Sequence, residues 1–305
     1  MKKCLSFLAA LFLMFTLFSG QASAETKAIN EKLGVPIVVY GANLSDSEKA
    51  MVREVLRVDE EPEVDEITVS SQDLVKYIKN GNPNARMYSS AKITREEEGK
   101  GLTVSIVTPE NITEVTSEMY ANAMLTAGLE DATIEVVAPK PVTGHSALVG
   151  IYKAYEVKTG ETLDVERTDV ANDELQVATE LADNANITDD QVAQLLTEIK
   201  KQIAEQKPAS KEEVEQIVKD QLAKLNIELS EEDRQMLIDL MDRIRKLDID
   251  FSKWKDQLSD LSSTIEENLQ FLKDEGFWEK VKNFFNKLID IISSWFSSSE
   301  EQGTN

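Results

Sequence analysis

One short stretch has the side chains of a nucleophile and a base side by side: Thr143-Gly144-His145-Ser146-Ala147-Leu148. Serine with histidine is the chemistry of acyl transfer, provided the serine sits on a sharp strand-to-helix turn. A G-x-S-x-G elbow needs glycine where Leu148 stands, so that turn is not encoded. Neighbouring side chains on a helix also diverge by about 100°, which makes His145 a poor base for Ser146. The reading is a helix start, capped by Thr143, with Gly144 for close packing. His145 is the only histidine, so a Ser-His-Asp triad must use it, and one chain offers no multi-histidine zinc site. No catalytic residue, metal ligand or cofactor site is therefore assigned.

Carboxylates offer a second chemistry. Asp59-Glu60-Glu61 with Glu63, Asp65 and Glu66 forms one acidic loop, and Glu96-Glu97-Glu98 another. Neither has the spacing and glycine of an EF-hand. A pair of carboxylates drawn from them could serve glycoside hydrolysis, and solvated surface is the plainer reading. Helix starts offer a third, because their free backbone N–H groups attract anions. Loops following strand-like runs contain Gly41, Asn43 and Ser45, then Asn111 and Thr113, then Thr143, Gly144, His145 and Ser146, with Lys140 just before. A small anionic or sugar-like ligand is the expectation if these loops converge.

The largest apolar signal is near the end of the chain. At 100° per residue, Phe277, Trp278, Val281, Phe284, Phe285, Leu288, Ile289, Ile291, Ile292, Trp295 and Phe296 fall within an arc of about 160°. Lys280, Lys282 and Lys287 lie on the opposite side. Such a face belongs against the protein's own helices or a partner, and a membrane surface is the alternative.

Alternating strand and helix signals position these groups in the first half. Val35–Tyr40 reads as a strand, Ser45 with Glu48 as a capping box opening a helix, and Ile67–Ser70 as a strand. Arg86–Thr94 and Leu102–Thr108 read as a strand pair. A helix over Thr113–Ala127, a strand over Ala132–Ala138 and a helix over Gly144–Glu156 follow. The order strand, capped loop, helix, acidic turn, strand occurs twice, which implies an α/β (or α+β) domain built from two related strand–helix–strand modules. Beyond it the pattern is wholly helical. Likewise all six tyrosines precede residue 156, while the tryptophans and the phenylalanines after the leader all follow residue 250. The expected division is residues 25–165 as the α/β domain, 166–274 as a helical region, and 275–305 as the amphipathic helix with a polar tail.

Residues 1–24 read as a secretory signal peptide: Lys2 and Lys3, an apolar run from Leu5 to Phe18, and Ala22-Ser23-Ala24 for cleavage. Cys4, the only cysteine, leaves with it, so no disulfide is available. Losing two lysines takes the formal charge from −23 to −25. Such acidity disfavours nucleic acid and simple adhesion to an anionic envelope.

The stretches YSSAKI (88–93), GKGLTVSIVTPENIT (99–113) and MYANAMLTAGLEDATIEVVAPKPVTGHSALVGIYKAYE (119–156) are specific. On them the chain resembles the YpuA-like family of secreted Gram-positive bacterial proteins, a domain of unknown function, over roughly residues 28–300. The resemblance implies an envelope-facing location and no reaction. In a bacterium the glycosylation-like patterns at Asn43, Asn111 and Asn186 reduce to capping by Ser45, Thr113 and Thr188. The expectation is a secreted, non-enzymatic binding or scaffold protein whose partner is an envelope component or another protein. A carboxylate-dependent wall hydrolase and a membrane-surface protein are the alternatives.

Overall fold

A computed structural model describes residues 34–185 and 187–273. The leader and the aromatic face over 277–296 lie outside the described residues. Five strands form one mixed sheet: β1 (Ile37–Gly41), β2 (Asp65–Val69), β3 (Ser90–Arg95), β4 (Leu102–Ile106) and β5 (Ala132–Val137), in the order β2-β1-β3-β5-β4. β1 and β2 pair in parallel, as do β4 and β5, and β3 runs antiparallel between β1 and β5.

Here the structure corrects the expected pairing of 86–94 with 102–108, because β5 lies between them. Burial explains the order. Ala132, Ile134, Val136 and Val137 are all fully buried, which suits an inner strand. Leu102, Val104 and Ile106 are half-buried and alternate with exposed Thr103 and Ser105, the pattern of an edge strand.

Helices α1 (Asp46–Val55) and α2 (Ser71–Tyr77) flank β2 in the chain. α3 (Ser117–Ala127) joins β4 to β5, and α4 (His145–Thr159) follows β5. Each α1 and α3 is therefore the crossover that a parallel strand pair requires. They lie on opposite faces. Period-two alternation sends Val38 and Tyr40 to one face, with Val52 and Leu56 of α1. It sends Ile37, Val39, Ile93, Ile134 and Val136 to the other, into the core that α3 and α4 share. Gly150 lets α4 approach the sheet closely, since a Cβ there would come within 3.3 Å of Val39.

α5 (Val165–Asn184), α6 (Asp189–Gln206), α7 (Lys211–Leu225) and α8 (Glu231–Ile244) form a ring in which each packs on the next and α8 closes on α5. Thr188 caps α6 in a box with Gln191, and Ser210 and Ser230 cap α7 and α8. α5 begins at Val165, capped by Asp164, earlier than its apolar spacing suggests. α3 packs between the sheet and α5 and α6, which buries nine of its eleven residues. α9 (Phe251–Lys273) lies along α6 and touches α3. The result is an α+β layer continued into a helical region through one core that runs from Ile37 to Ile265. No helix among the described residues is long and apolar enough to cross a membrane.

Candidate functional site

Because β1, β2, β4 and β5 point the same way, the loops at their carboxyl ends share one end of the sheet, where α/β folds commonly place ligands. All three sets of candidate residues meet there, joined by the start of β3. Gly41 donates its N–H to Ser90 Oγ at 3.3 Å. It must be glycine, since a Cβ would sit 2.3 Å from the Met87 carbonyl. Asn43 Oδ1 accepts from Met87 N at 2.8 Å. Ser45 closes the expected capping box with Glu48.

The second loop is tied to the third. Asn111 donates to the Ala138 carbonyl at 2.8 Å. Thr113 donates through both its N–H, at 3.0 Å, and its hydroxyl, at 3.2 Å, to the Val142 carbonyl. Thr113 is thus not a helix cap: α3 begins at Ser117 and is capped by Thr116. Nor does Thr143 cap α4. The N-cap is Gly144 at φ 108°, a left-handed conformation that favours glycine, with no side-chain cap bond. A Cβ there would come within 2.7 Å of Tyr120 Oη. The Tyr120 hydroxyl instead donates to the Gly144 carbonyl at 2.6 Å, and burial holds it far above the usual tyrosine range.

His145 and Ser146 turn to different partners. His145 Nδ1 lies 3.3 Å from Thr143 Oγ1 and Nε2 lies 3.4 Å from Thr179 Oγ1. Ser146 donates to Ser89 Oγ at 3.4 Å. Burial lowers the His145 pKa against the opposing charge of Glu114. Lys140 is held by Glu48 at 2.8 Å and lies 3.7 Å from the centre of the Tyr88 ring. The Lys140 contact, with bonds to Ser45, draws the Glu48 pKa down to about 2.

The acidic loops lie elsewhere. Asp59 and Glu66 pair with Arg53, Glu61 with Lys92, and Asp65 with Lys158. Glu96, Glu97 and Glu98 line a cleft of about 630 Å³ at the opposite end of the sheet, with Glu130, Asp131 and Lys253. Asp131 there accepts from Gly99 and Gly101 N–H groups at 3.0 and 2.8 Å. Burial raises the Glu130 pKa, with Lys253 opposing. Among the described residues no group of three or more His, Cys, Asp or Glu is placed to hold a metal ion.

Periodicity did not single out a dry polar cluster where α3, α5 and α6 meet. Lys200 Nζ lies 2.6 Å from Glu174 Oε1 and 2.9 Å from the Asn122 carbonyl, and both charged residues are buried. Thr126 donates to Glu174 at 2.5 Å, and Asn122 donates to Thr197 at 2.9 Å. Burial lowers the Lys200 pKa, and Glu174 opposes it. The Tyr152 hydroxyl is buried without a hydrogen-bond partner among the described residues, and Glu174's charge adds to burial in raising its pKa. The signal in the sequence is a charged residue inside an apolar row: Lys200 follows Leu196 by four and precedes Ile203 by three.

The model of a family described as "Protein of unknown function (DUF1002)" matches residues 40–261. The "Uncharacterized protein YpuA" of Bacillus subtilis (strain 168) is 36% identical over 269 residues, covering 86% of this chain and 88% of that protein. No solved structure matches the chain.

Proposed function

The chain belongs to the DUF1002 family, whose description carries no activity, and from that premise we propose a secreted, non-enzymatic binding or scaffold protein of the cell envelope. One observation carries the reading. At the end of the sheet where catalytic or ligand loops would meet, polar groups are spent on one another: Gly41 on Ser90, Asn43 on Met87, Asn111 on Ala138, and Thr113 on Val142. His145 and Ser146 share no hydrogen bond, so the serine has no base. Loops cross-tied in this way make a rigid platform for a partner. The two strand–helix–strand units belong to this reading as related modules that each bring one capped loop to the platform. The leader pattern supports a place outside the cytoplasm. Fractionation of cells into cytoplasm, membrane, wall and medium tests the location. Recovery of the full-length leader-bearing chain in the cytoplasm sinks it.

One feature favours a carboxylate hydrolase as the second reading. Glu130, whose pKa burial raises, shares a cleft with Glu96, Glu97, Glu98 and Asp131, and a carboxyl held towards its protonated form suits a general acid. Wall hydrolysis by the purified chain that Glu130→Gln abolishes, with thermal stability intact, would establish it over the scaffold reading.

A further inference from the structure

An open groove of about 930 Å³ lies between α5 and α8. The two helices run antiparallel. Asn184 is 3.4 Å from Asp233 at one end, and Arg243 pairs with Asp169 at 3.5 Å and with Asp173 at the other. Val177 of α5, with Met236 and Leu240 of α8, forms an apolar floor, and Met236 is half-buried. Met236 and Leu240 are four apart, so they share one face of α8. The groove shares no residue with the loops that meet at the end of the sheet.

Its rim is acidic. Asp173 and Glu180 stand on α5, and Glu231, Glu232 and Asp239 on α8, while Arg243 is the one cation that lines it. The fold neutralises only part of this charge: Asp173 has Arg243, Glu231 has Arg234, and Asp239 has Lys211. The Glu180 carboxylate accepts only from Gln176 Nε2, at 2.7 Å, and the Glu232 carboxylate has no partner among the described residues. These two carboxylates face each other across the groove, one on each helix, with an apolar strip between them.

We propose that this groove receives an amphipathic helix of a partner protein, with apolar residues at i, i+3 or i+4 and i+7 on the floor and lysines or arginines on both flanks. Charge complementarity carries the choice. An anionic bilayer or a nucleic acid meets repulsion at the rim, whereas a basic helix gains a counter-charge from Glu180 on one side and Glu232 on the other. The dimensions suit it. α8 has 14 residues and spans about 21 Å, room for about four turns of a third helix laid along the pair. A methionine on the floor suits a docking surface, because its unbranched side chain adapts to the apolar residue set against it.

Fluorescence anisotropy with residues 25–305 and a labelled synthetic helix tests the proposal. The probe is about 14 residues long, with a leucine stripe flanked by lysines. It should bind saturably, and Glu180→Lys combined with Glu232→Lys should weaken binding about tenfold or more. Met236→Ser should weaken it about tenfold, and Glu97→Lys with Glu98→Lys should leave it within about twofold. A peptide of the same composition with its leucines scrambled should bind about tenfold more weakly or worse. If Met236→Ser does not fold, the pair of surface charge reversals decides. Absence of saturable binding overturns the proposal. So does equal binding of the scrambled peptide, or an equal loss on reversing Glu97 and Glu98, since the attraction would then be general to an acidic chain. Sedimentation of residues 25–305 as a dimer that Met236→Ser disperses overturns it in favour of a second copy.

Discussion

The two faces of the sheet are covered on different scales. One carries α1 alone, over Val38, Tyr40, Val52, Leu56 and Val58. The other carries α3 and α4, and through them the whole helical region. Each face also holds a lysine ion pair, and these differ in the same sense. Lys92 pairs with Glu135 at 2.7 Å and with Glu61 at 3.4 Å, with side chains 9%, 17% and 29% exposed. Lys200 and Glu174 are 0% and 1% exposed. Water can solvate the first pair if it breaks, whereas the second is held by the Asn122 carbonyl and the Thr126 hydroxyl, with the Trp254 ring 5.4 Å from Lys200 Nζ. Dry charges recover their desolvation only from such partners, so the thick face is the less tolerant one.

The largest effect that could break this comparison is removal of the helical region. Composition puts a boundary near residue 165, yet α3 is buried on both sides by the sheet and by α5 and α6. Residues 25–165 expressed alone should therefore lose the cooperative thermal transition shown by residues 25–305. A sharp transition in that fragment would show that the thin layer and the sheet suffice.

Next in size is the dry pair. Glu174→Ala should cost about 3–5 kcal/mol in urea unfolding, because it strands Lys200, while Lys200→Met with Glu174→Leu should restore most of that loss. The matched change at the thin face, Glu135→Ala, leaves Lys92 its Glu61 and Leu56 carbonyl partners and should cost less, about 1–2 kcal/mol. Equal losses for the two glutamate substitutions would remove the distinction.

Smaller again is the contrast in apolar depth. Leu148→Ala, inside the shared core, should cost about 4 kcal/mol, and Leu56→Ala, under α1, about 2 kcal/mol, since a thin layer collapses more easily onto a cavity. Urea midpoints at constant slope would read both.

The smallest effects belong to the two residues that first suggested chemistry. Ser146→Ala should shift stability by about 0.5 kcal/mol or less, with any hydrolytic activity retained. His145 has a pKa depressed by burial below 6.5, so the unfolded chain takes up its proton first. Its contribution to stability is full above pH 6.5 and is lost as pH falls towards the depressed value. His145→Gln should flatten that part of the stability profile, and an unaltered profile would mean that the ring is not buried.

Local chemistry made much of this legible in advance. The limits Asp189–Gln206 and Lys211–Leu225 follow from apolar spacing and caps, because a cap is a contact between residues three apart. Ser45 with Glu48 and Thr188 with Gln191 are readable for the same reason. Thr113 misled because its competing partner, the Val142 carbonyl, is set by how the loops cross, and Thr143 because Gly144 in a left-handed conformation takes the N-cap position.

By itself the sequence determined where α1, α6 and α7 start, that the first half mixes strands with helices while the second is helical, and which residues seek burial. Only the tertiary structure decided that β5 separates β3 from β4, that the candidate loops satisfy one another, and that Lys200 finds Glu174. The physical reason is range. Helix hydrogen bonds and caps close within four residues, so their partners are written beside them. Strand neighbours and buried ion pairs close over tens of residues: Val39 pairs with Ala91 across β1 and β3, and 26 residues separate Lys200 from Glu174. Those partners are chosen by the burial each arrangement achieves, which exists only once the chain has folded.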